Sequence, residues 1–311
     1  VASSFTFSFR SASLAGLGLL LTLALLDRLF ADGLEALLRD QIVGPYAQAD
    51  AIVERARPQL LVLGSSRAQR HYVPSILRKS MGKVCLNGGR DGQGLPYSTG
   101  LLHLALKRYT PELVILDLGN ADLVRDPSST MRVSSLSPYY HRHPDLAPYL
   151  EVRGDHELLK LRCRCYAYNS KVVDLLRYRL LPFLTPDDDS GYIPVEGRMT
   201  SLPPVASGPS LAQPVSPELV ELLAVSLREC REKQIKFLGV FSPSYVDDSK
   251  CTSRRVLEDL LKENGFAWLD FTNNSDFAGR PELFSDPRHL NHEGAELFTT
   301  LLSQRLREEG F

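Results

Sequence analysis

The sequence predicts an α/β protein: a five-stranded parallel sheet with helices on both faces, preceded by an N-terminal hydrophobic helix. Three observations predict it. Short apolar runs alternate with segments of helical spacing over most of the chain. The runs tend to stop at small or turn-forming residues, as buried strands do at their carboxyl ends. The dinucleotide-binding alternative lacks its fingerprint, because the turn after the first strand has one glycine and not G-x-G-x-x-G. Together these describe a flavodoxin-like three-layer sandwich.

Composition is that of a folded chain, with 43% hydrophobic and 23% charged residues, which excludes global disorder. A net charge of -1 with scattered Lys and Arg excludes a broad nucleic-acid footprint. The N-terminus departs from this pattern. Ser11–Leu26 carries no charge, Arg10 precedes it and Asp27-Arg28 follows. Such a helix falls somewhat short of the roughly 30 Å hydrocarbon core unless Leu29 and Phe30 extend it. No small-x-small cleavage motif follows, which favours an uncleaved signal anchor over residues 1–30. Arg10 places the N-terminus in the cytoplasm by the positive-inside tendency, and the remainder outside: a single-pass protein of the cell membrane with an extracytoplasmic domain.

Residues 31–57 read as a helical connector, with Leu34, Leu37, Leu38, Ile42 and Val43 at helical spacing and Gly44-Pro45 as a break. The remainder, 58–311, is the sheet domain. Its strands are expected at Gln59–Leu63, Lys83–Leu86, Glu112–Leu118, Ile235–Phe241 and Phe266–Phe271. Helices are expected at Pro74–Met81, Leu95–Tyr109, Pro217–Lys233, Ser253–Asn264 and His292–Glu308. Alternation lapses over about 125–215, which reads as an insertion capping one end of the sheet. Within it, His156–Leu181 is expected to form one or two helices, and Pro182–Ser216 is dominated by Pro, Ser, Gly and Asp. Five cysteines leave at least one without an intrachain partner. Cys163-Arg164-Cys165 lacks redox or zinc spacing, and both cysteines read as ordinary helix residues. His141-Arg142-His143 reads as a loop. No Cys/His set has metal spacing, so no metal and no cofactor is expected.

The chemistry centres on Leu61-Val62-Leu63-Gly64-Ser65-Ser66-Arg67, an apolar strand running into a turn at the rim where open α/β sheets bind ligands. A serine there is placed to attack, although most Gly-Ser-Ser triplets are only turns. Nucleophilic serine needs a base and a group to orient it. Asp286 and His289, three apart before the last helix, can supply both; the same spacing also suits a plain turn and helix entry capped by Asn291. Oxyanion donors are available from the Ser66 backbone, from a glycine of the Asn87–Gly94 loop, and from the Asn120 amide.

Gly64-x-Ser66 after strand one, Gly92 after strand two, Gly119-Asn120 after strand three and Asp286-x-x-His289 before the last helix resemble the SGNH (GDSL-type) hydrolase superfamily. The resemblance implies Ser66 as nucleophile, Gly92 as backbone oxyanion donor, Asn120 as side-chain donor, His289 as base and Asp286 as its orienting partner. Two blocks depart from the family pattern: Ser65 stands where an aspartate is usual, and Asn120 sits one place early in Gly119-Asn120-Ala121-Asp122. Gly-Ser-Ser-Arg, the anchor, the insertion and His289-Leu290-Asn291-x-x-Gly294-Ala295 are similar to a membrane-anchored branch that includes the teichoic-acid D-alanylation and alginate and cellulose acetylation proteins. That implies an extracytoplasmic serine acyl-esterase or O-acyltransferase working on an acylated cell-surface glycan or polymer, with a membrane-bound O-acyltransferase as partner. The altered blocks leave a second reading, a non-catalytic scaffold on a hydrolase-like fold. A third, nucleotide binding at Gly88–Gly94, lacks the P-loop Lys-Ser/Thr.

Overall fold

The computed structural model describes residues 9–184, 190–200, 214–245 and 251–311. The chain opens with α1 (Phe9–Arg39), α2 (Gly44–Asp50) and one π-helical turn (Ala51–Arg55). Then follow β1 (Leu60–Leu63), α3 (Ser66–His71), α4 (Pro74–Met81), β2 (Cys85–Asn87), α5 (Leu95–Leu106) and β3 (Leu113–Asp117). The insertion carries α6 (Pro127–Arg132), α7 (Ala147–Glu151), α8 (Glu157–Lys160) and α9 (Val172–Leu180), joined by 3-10 turns. Alternation resumes with α10 (Pro217–Glu232), β4 (Lys236–Phe241), α11 (Thr252–Glu263), β5 (Ala267–Asp270), β6 (Phe284–Asp286), β7 (His289–Leu290) and α12 (His292–Glu308).

Five strands form one parallel sheet in the order β2-β1-β3-β4-β5. Because strand side chains alternate, β1 sends Leu61 and Leu63 into one core and Leu60 and Val62 into the other. The first core is closed by α5, α10 and α11 (Leu101, Leu223, Leu257) and the second by α3, α4 and α12 (Ala68, Leu77, Phe298). Both faces are covered, which is why the strands read as continuous apolar runs. The order reverses at β1, so a crevice opens between the carboxyl ends of β1 and β3.

Gly64 lets the chain leave β1 for the turn that carries Ser66. Its φ is 147°, and a Cβ there would lie 2.7 Å from Ala68 Cβ and 3.0 Å from Asp117 Cβ. Gly64→Ala is expected to lower unfolding free energy by about 2–3 kcal/mol through overpacking and backbone strain. The readout is a lower urea midpoint at unchanged slope.

Several expected elements differ in detail. The N-terminal helix runs unbroken to Arg39, and Gly44-Pro45 starts α2 with proline in its first turn. Asp27, on α1, accepts from Cys165 N (2.9 Å), Arg164 N (2.8 Å) and Cys163 Sγ (3.0 Å). Cys163 and Cys165 are therefore not ordinary helix residues; they lie at a 3-10 turn, Arg164–Tyr168, fastened to α1. His156–Leu181 breaks into α8, that turn and α9, because no long apolar stripe holds it together. The expected final loop contains a β6–β7 hairpin, with Asp286 paired to His289. The ends of the insertion meet in an antiparallel bridge between Val124 and Val215. Its elements pack on α1 and α5, with Leu136, Leu146, Leu150 and Leu161 in the first core. Residues 190–200 return across the second face, where Ser190 accepts from Asn87 N (2.9 Å), Ile193 donates to Gln69 O (3.1 Å) and Met199 to Phe284 O (2.8 Å). Residues 185–189 and 201–213 of the expected Pro182–Ser216 loop lie outside the described residues.

Candidate active site

Ser66 is the first residue of α3, one turn beyond the end of β1. His289 is the first residue of β7, brought back to α3 by the hairpin. Ser66 Oγ lies 2.7 Å from His289 Nε2 although the residues are 223 apart in sequence. On the other edge of the ring, Nδ1 lies 2.8 Å from Asp286 Oδ2 and 3.0 Å from Oδ1. An ionised carboxylate only accepts, so Nδ1 carries the proton and donates to Asp286. Nε2 is then the bare nitrogen and accepts from the Ser66 hydroxyl.

Asp286 is held for this role. Partial burial pushes its carboxyl up, but donation from Arg288 N (2.8 Å) and from the His289 ring, with His289 N (3.1 Å), more than offsets that. The group sits below its ordinary carboxylate range and is anionic near neutrality. Asn291 caps α12 by accepting from Gly294 N (3.0 Å) and anchors the hairpin by donating to Glu282 O (2.7 Å). The geometry of a plain turn and the hydrogen-bond chain thus coexist: the same turn that enters α12 also carries His289 and Asp286.

A second histidine, missed in the sequence reading, supports the first. His71 is fully buried, and burial holds its imidazole well below its usual range, with the nearby Arg67 charge acting in the same direction. It is therefore neutral. Leu290 N donates to His71 Nε2 (3.0 Å), so His71 Nδ1 carries the proton and donates to Ser242 Oγ (3.0 Å). This fixes the backbone immediately after His289. Nothing in the sequence marks it, since the contact joins residues 219 apart.

Ser66 and His289 open into a cavity of 220 Å³ lined also by Ser65, Arg67, Gly119–Asp122, Ser244 and Arg288. Asn120 is on this wall and almost fully buried. Its Oδ1 accepts from Arg254 Nη1 (3.1 Å), a guanidinium that also lies 3.9 Å from the Phe241 ring centre and pairs with Asp270 (2.6 Å). The amide orientation is thereby set. Arg67 pairs with the buried Asp117 (3.3 Å), which also accepts from Tyr72 (2.8 Å), and so a fixed positive charge borders the cavity.

Gly92 is not brought to this wall. At φ 68° it packs against Arg132, whose guanidinium a Cβ would overlap, and the cavity lining includes no residue of the Asn87–Gly94 loop. The loop is instead locked behind Ser66. Asn87 Nδ2 donates to Ala68 O (2.6 Å) and Tyr72 O (3.0 Å), and Arg90 N donates to Gly64 O (3.2 Å). No described residue of the 125–215 insertion lines the cavity either. Among the described residues, no group of three or more His, Cys, Asp or Glu side chains is placed to hold a metal.

No family model matches the sequence, and no curated protein sequence does. Solved structures match it at low identity. A protein described as lipolytic and of the G-D-S-L family, from Desulfitobacterium hafniense, is 12% identical with a TM-score of 0.39, over 79% of this chain and 97% of its own. One described as an acylhydrolase, from Bacteroides fragilis, is 12% identical with a TM-score of 0.42, over 84% and 94%. A point mutant of an acetyl-xylooligosaccharide esterase from Geobacillus is 12% identical with a TM-score of 0.40, over 81% and 94%. The sheet order is that of an open α/β fold with a five-stranded parallel sheet, and Ser66, Asn120 and His289 line one cavity at its rim.

Proposed function

We propose that the chain is a serine ester hydrolase of the SGNH type, held at a membrane by α1, that removes or transfers acyl groups of a cell-surface glycan or polymer. The observation that carries this reading is the continuous Ser66–His289–Asp286 relay, at 2.7 and 2.8 Å. A scaffold with no reaction to perform has no need of that alignment, so catalysis is the better account of it.

Ser66 Oγ attacks the ester carbonyl carbon as its proton passes to His289 Nε2. The developing imidazolium is stabilised by the Asp286 carboxylate. The oxyanion faces the Ser66 N–H, in the first turn of α3, and the Asn120 amide. Collapse breaks the ester C–O bond, and the leaving alkoxide takes the proton from Nε2, leaving acyl-Ser66. Water, or a glycan hydroxyl, then attacks this carbonyl while giving its proton to Nε2, which returns it to Ser66 Oγ. The product is a free acid or a new ester. Transfer to a glycan, with a membrane-bound O-acyltransferase as the acyl source, extends this reading.

The anchor rests on α1. By length and composition this helix can cross a membrane, and Leu14, Leu17, Leu20 and Leu23 are all exposed on it. Phe9–Leu26 spans about 27 Å, close to the hydrocarbon thickness. Asp27, bonded to the folded domain, would mark where the helix emerges. The test is p-nitrophenyl acetate hydrolysis by the membrane fraction of cells expressing the full chain. Activity that stays with alkali-washed membranes is the expected result. Activity released by the wash would refute the anchor, and no activity above an empty-vector membrane would refute the hydrolase.

A further inference from the structure

Behind the nucleophile loop lies a second cavity, of 240 Å³, which the reaction above does not use. Tyr46 of α2, the loop residues Arg90, Asp91 and Gln93, Arg132 at the end of α6, and Asn169–Lys171 of the insertion line it. Its character is cationic. Arg90, Arg132 and Lys171 all border it, and among the described residues none of the three pairs with a carboxylate. The one carboxylate in the lining, Asp91, pairs with Arg70 at 3.1 Å.

Arg132 is exposed, but the other two are not ordinary surface cations. Lys171 is only 4% exposed, and its ammonium donates to Asn169 O (3.1 Å). Burial, together with Arg153 and Arg90, lowers its pKa to about 7. Arg90 stacks 4.6 Å from the Tyr46 ring centre, and its Nη1 is buried without a hydrogen-bond partner. Ser170, between Asn169 and Lys171, has a left-handed φ of 63°, a conformation that a non-glycine residue adopts under constraint. Gly92 has a role here, because only a residue without Cβ lets Arg132 lie against the loop. Like charges gathered at one cavity, among them the buried Lys171, repel one another unless an anion lies between them.

We propose that this cavity is a binding site for a small oxyanion, the sulfate, phosphate or carboxylate chemistry that Arg90, Arg132 and Lys171 together recognise. Planar guanidinium forks and an ammonium match the oxygens of such a group, and one bound anion can accept from all three side chains. The ion can be free, or it can be a substituent of a larger molecule. Gln93 borders both this cavity and the narrow cleft that reaches Ser65, so the loop separating the two sites is shared.

Sulfate titrated calorimetrically into the detergent-solubilised full chain at low ionic strength should bind saturably at one site. Lys171→Met and Arg132→Ala should each weaken that binding about tenfold or more, whereas Arg198→Ala, at an exposed arginine paired with Glu293 (2.8 Å), should leave it unchanged. Lys171→Met, which removes an unpaired buried cation, should also raise the melting temperature without sulfate and abolish the sulfate-induced rise. Absence of saturable sulfate binding, or binding that both variants retain, overturns the proposal. The source of the anion is read separately with two p-nitrophenyl esters, one neutral and one bearing a carboxylate on its acyl chain. Sulfate that raises KM only for the charged ester assigns the site to a substrate substituent; no effect on either assigns it to a free ion, and both results retain the site. The binding arm does not depend on the esterase reading, so failure of one is distinguishable from failure of the other.

Discussion

Ser66→Ala is expected to lower p-nitrophenyl acetate hydrolysis on the order of 10⁴-fold or more while leaving the fold unchanged. The Ser66 hydroxyl makes its hydrogen bond to His289 at the cavity, not in either hydrophobic core, so its loss leaves no void between packed layers. Thermal and urea midpoints should therefore match the parent. The residual rate should also lose any burst of p-nitrophenol, because no acyl-serine can accumulate. Ser65, beside it, lines the same cavity, and rate retained by Ser66→Ala but lost in Ser65→Ala would move the nucleophile by one residue.

Asp286→Asn should lower kcat by about 10⁴-fold with little change in KM, as replacing the orienting carboxylate of a serine triad does. The carboxylate fixes the proton on His289 Nδ1. An amide can turn its NH₂ toward that nitrogen and stabilise the other tautomer, which presents a proton, and not a lone pair, to Ser66. The amide oxygen can still accept from the Arg288 and His289 amides, so the β6–β7 turn should survive. Mild acid is not an equivalent experiment. The Asp286 pKa is lowered in the fold, so its charge supports stability at and above the unfolded carboxylate range, and this support is lost only as pH falls through the depressed value. Stopped-flow rates and a melting curve together check this prediction. A loss of less than tenfold would mean that His289 is oriented by something else.

Much of this arrangement was legible in the amino-acid order. Four of the five strands are largely buried apolar runs, β5 being an edge strand, and each fell where expected to within about two residues. Ser66, Asp286 and His289 were legible because the chemistry needs those residue types at strand ends, and the structure brings all three together. Asn120 reached the cavity wall despite standing one place early, because Gly119 N donates to Asp122 (2.8 Å) and turns the chain there. Gly92 was read from block order alone, and block order cannot tell a glycine that faces substrate from one that makes room for an arginine. His71 and Arg254 were illegible for a different reason. Their partners Leu290 and Asn120 are 219 and 134 residues away, and only the folded sheet makes them neighbours. The β6–β7 hairpin was missed because its strands are too short to show a period. The insertion's inner order was not legible because its short turns pack on α1 and α5 and not along any stripe of their own.

In the proposed reaction Ser66 forms a covalent acyl intermediate with His289 as its base. The most direct measurement is peptide mass mapping of the full chain acid-quenched during p-nitrophenyl acetate turnover. The account predicts one acetyl group on the peptide that contains Ser66, absent in Ser66→Ala and strongly diminished in His289→Ala. An acetyl group mapped to any other residue, or turnover without any adduct at Ser66 under conditions that show a burst, would contradict it.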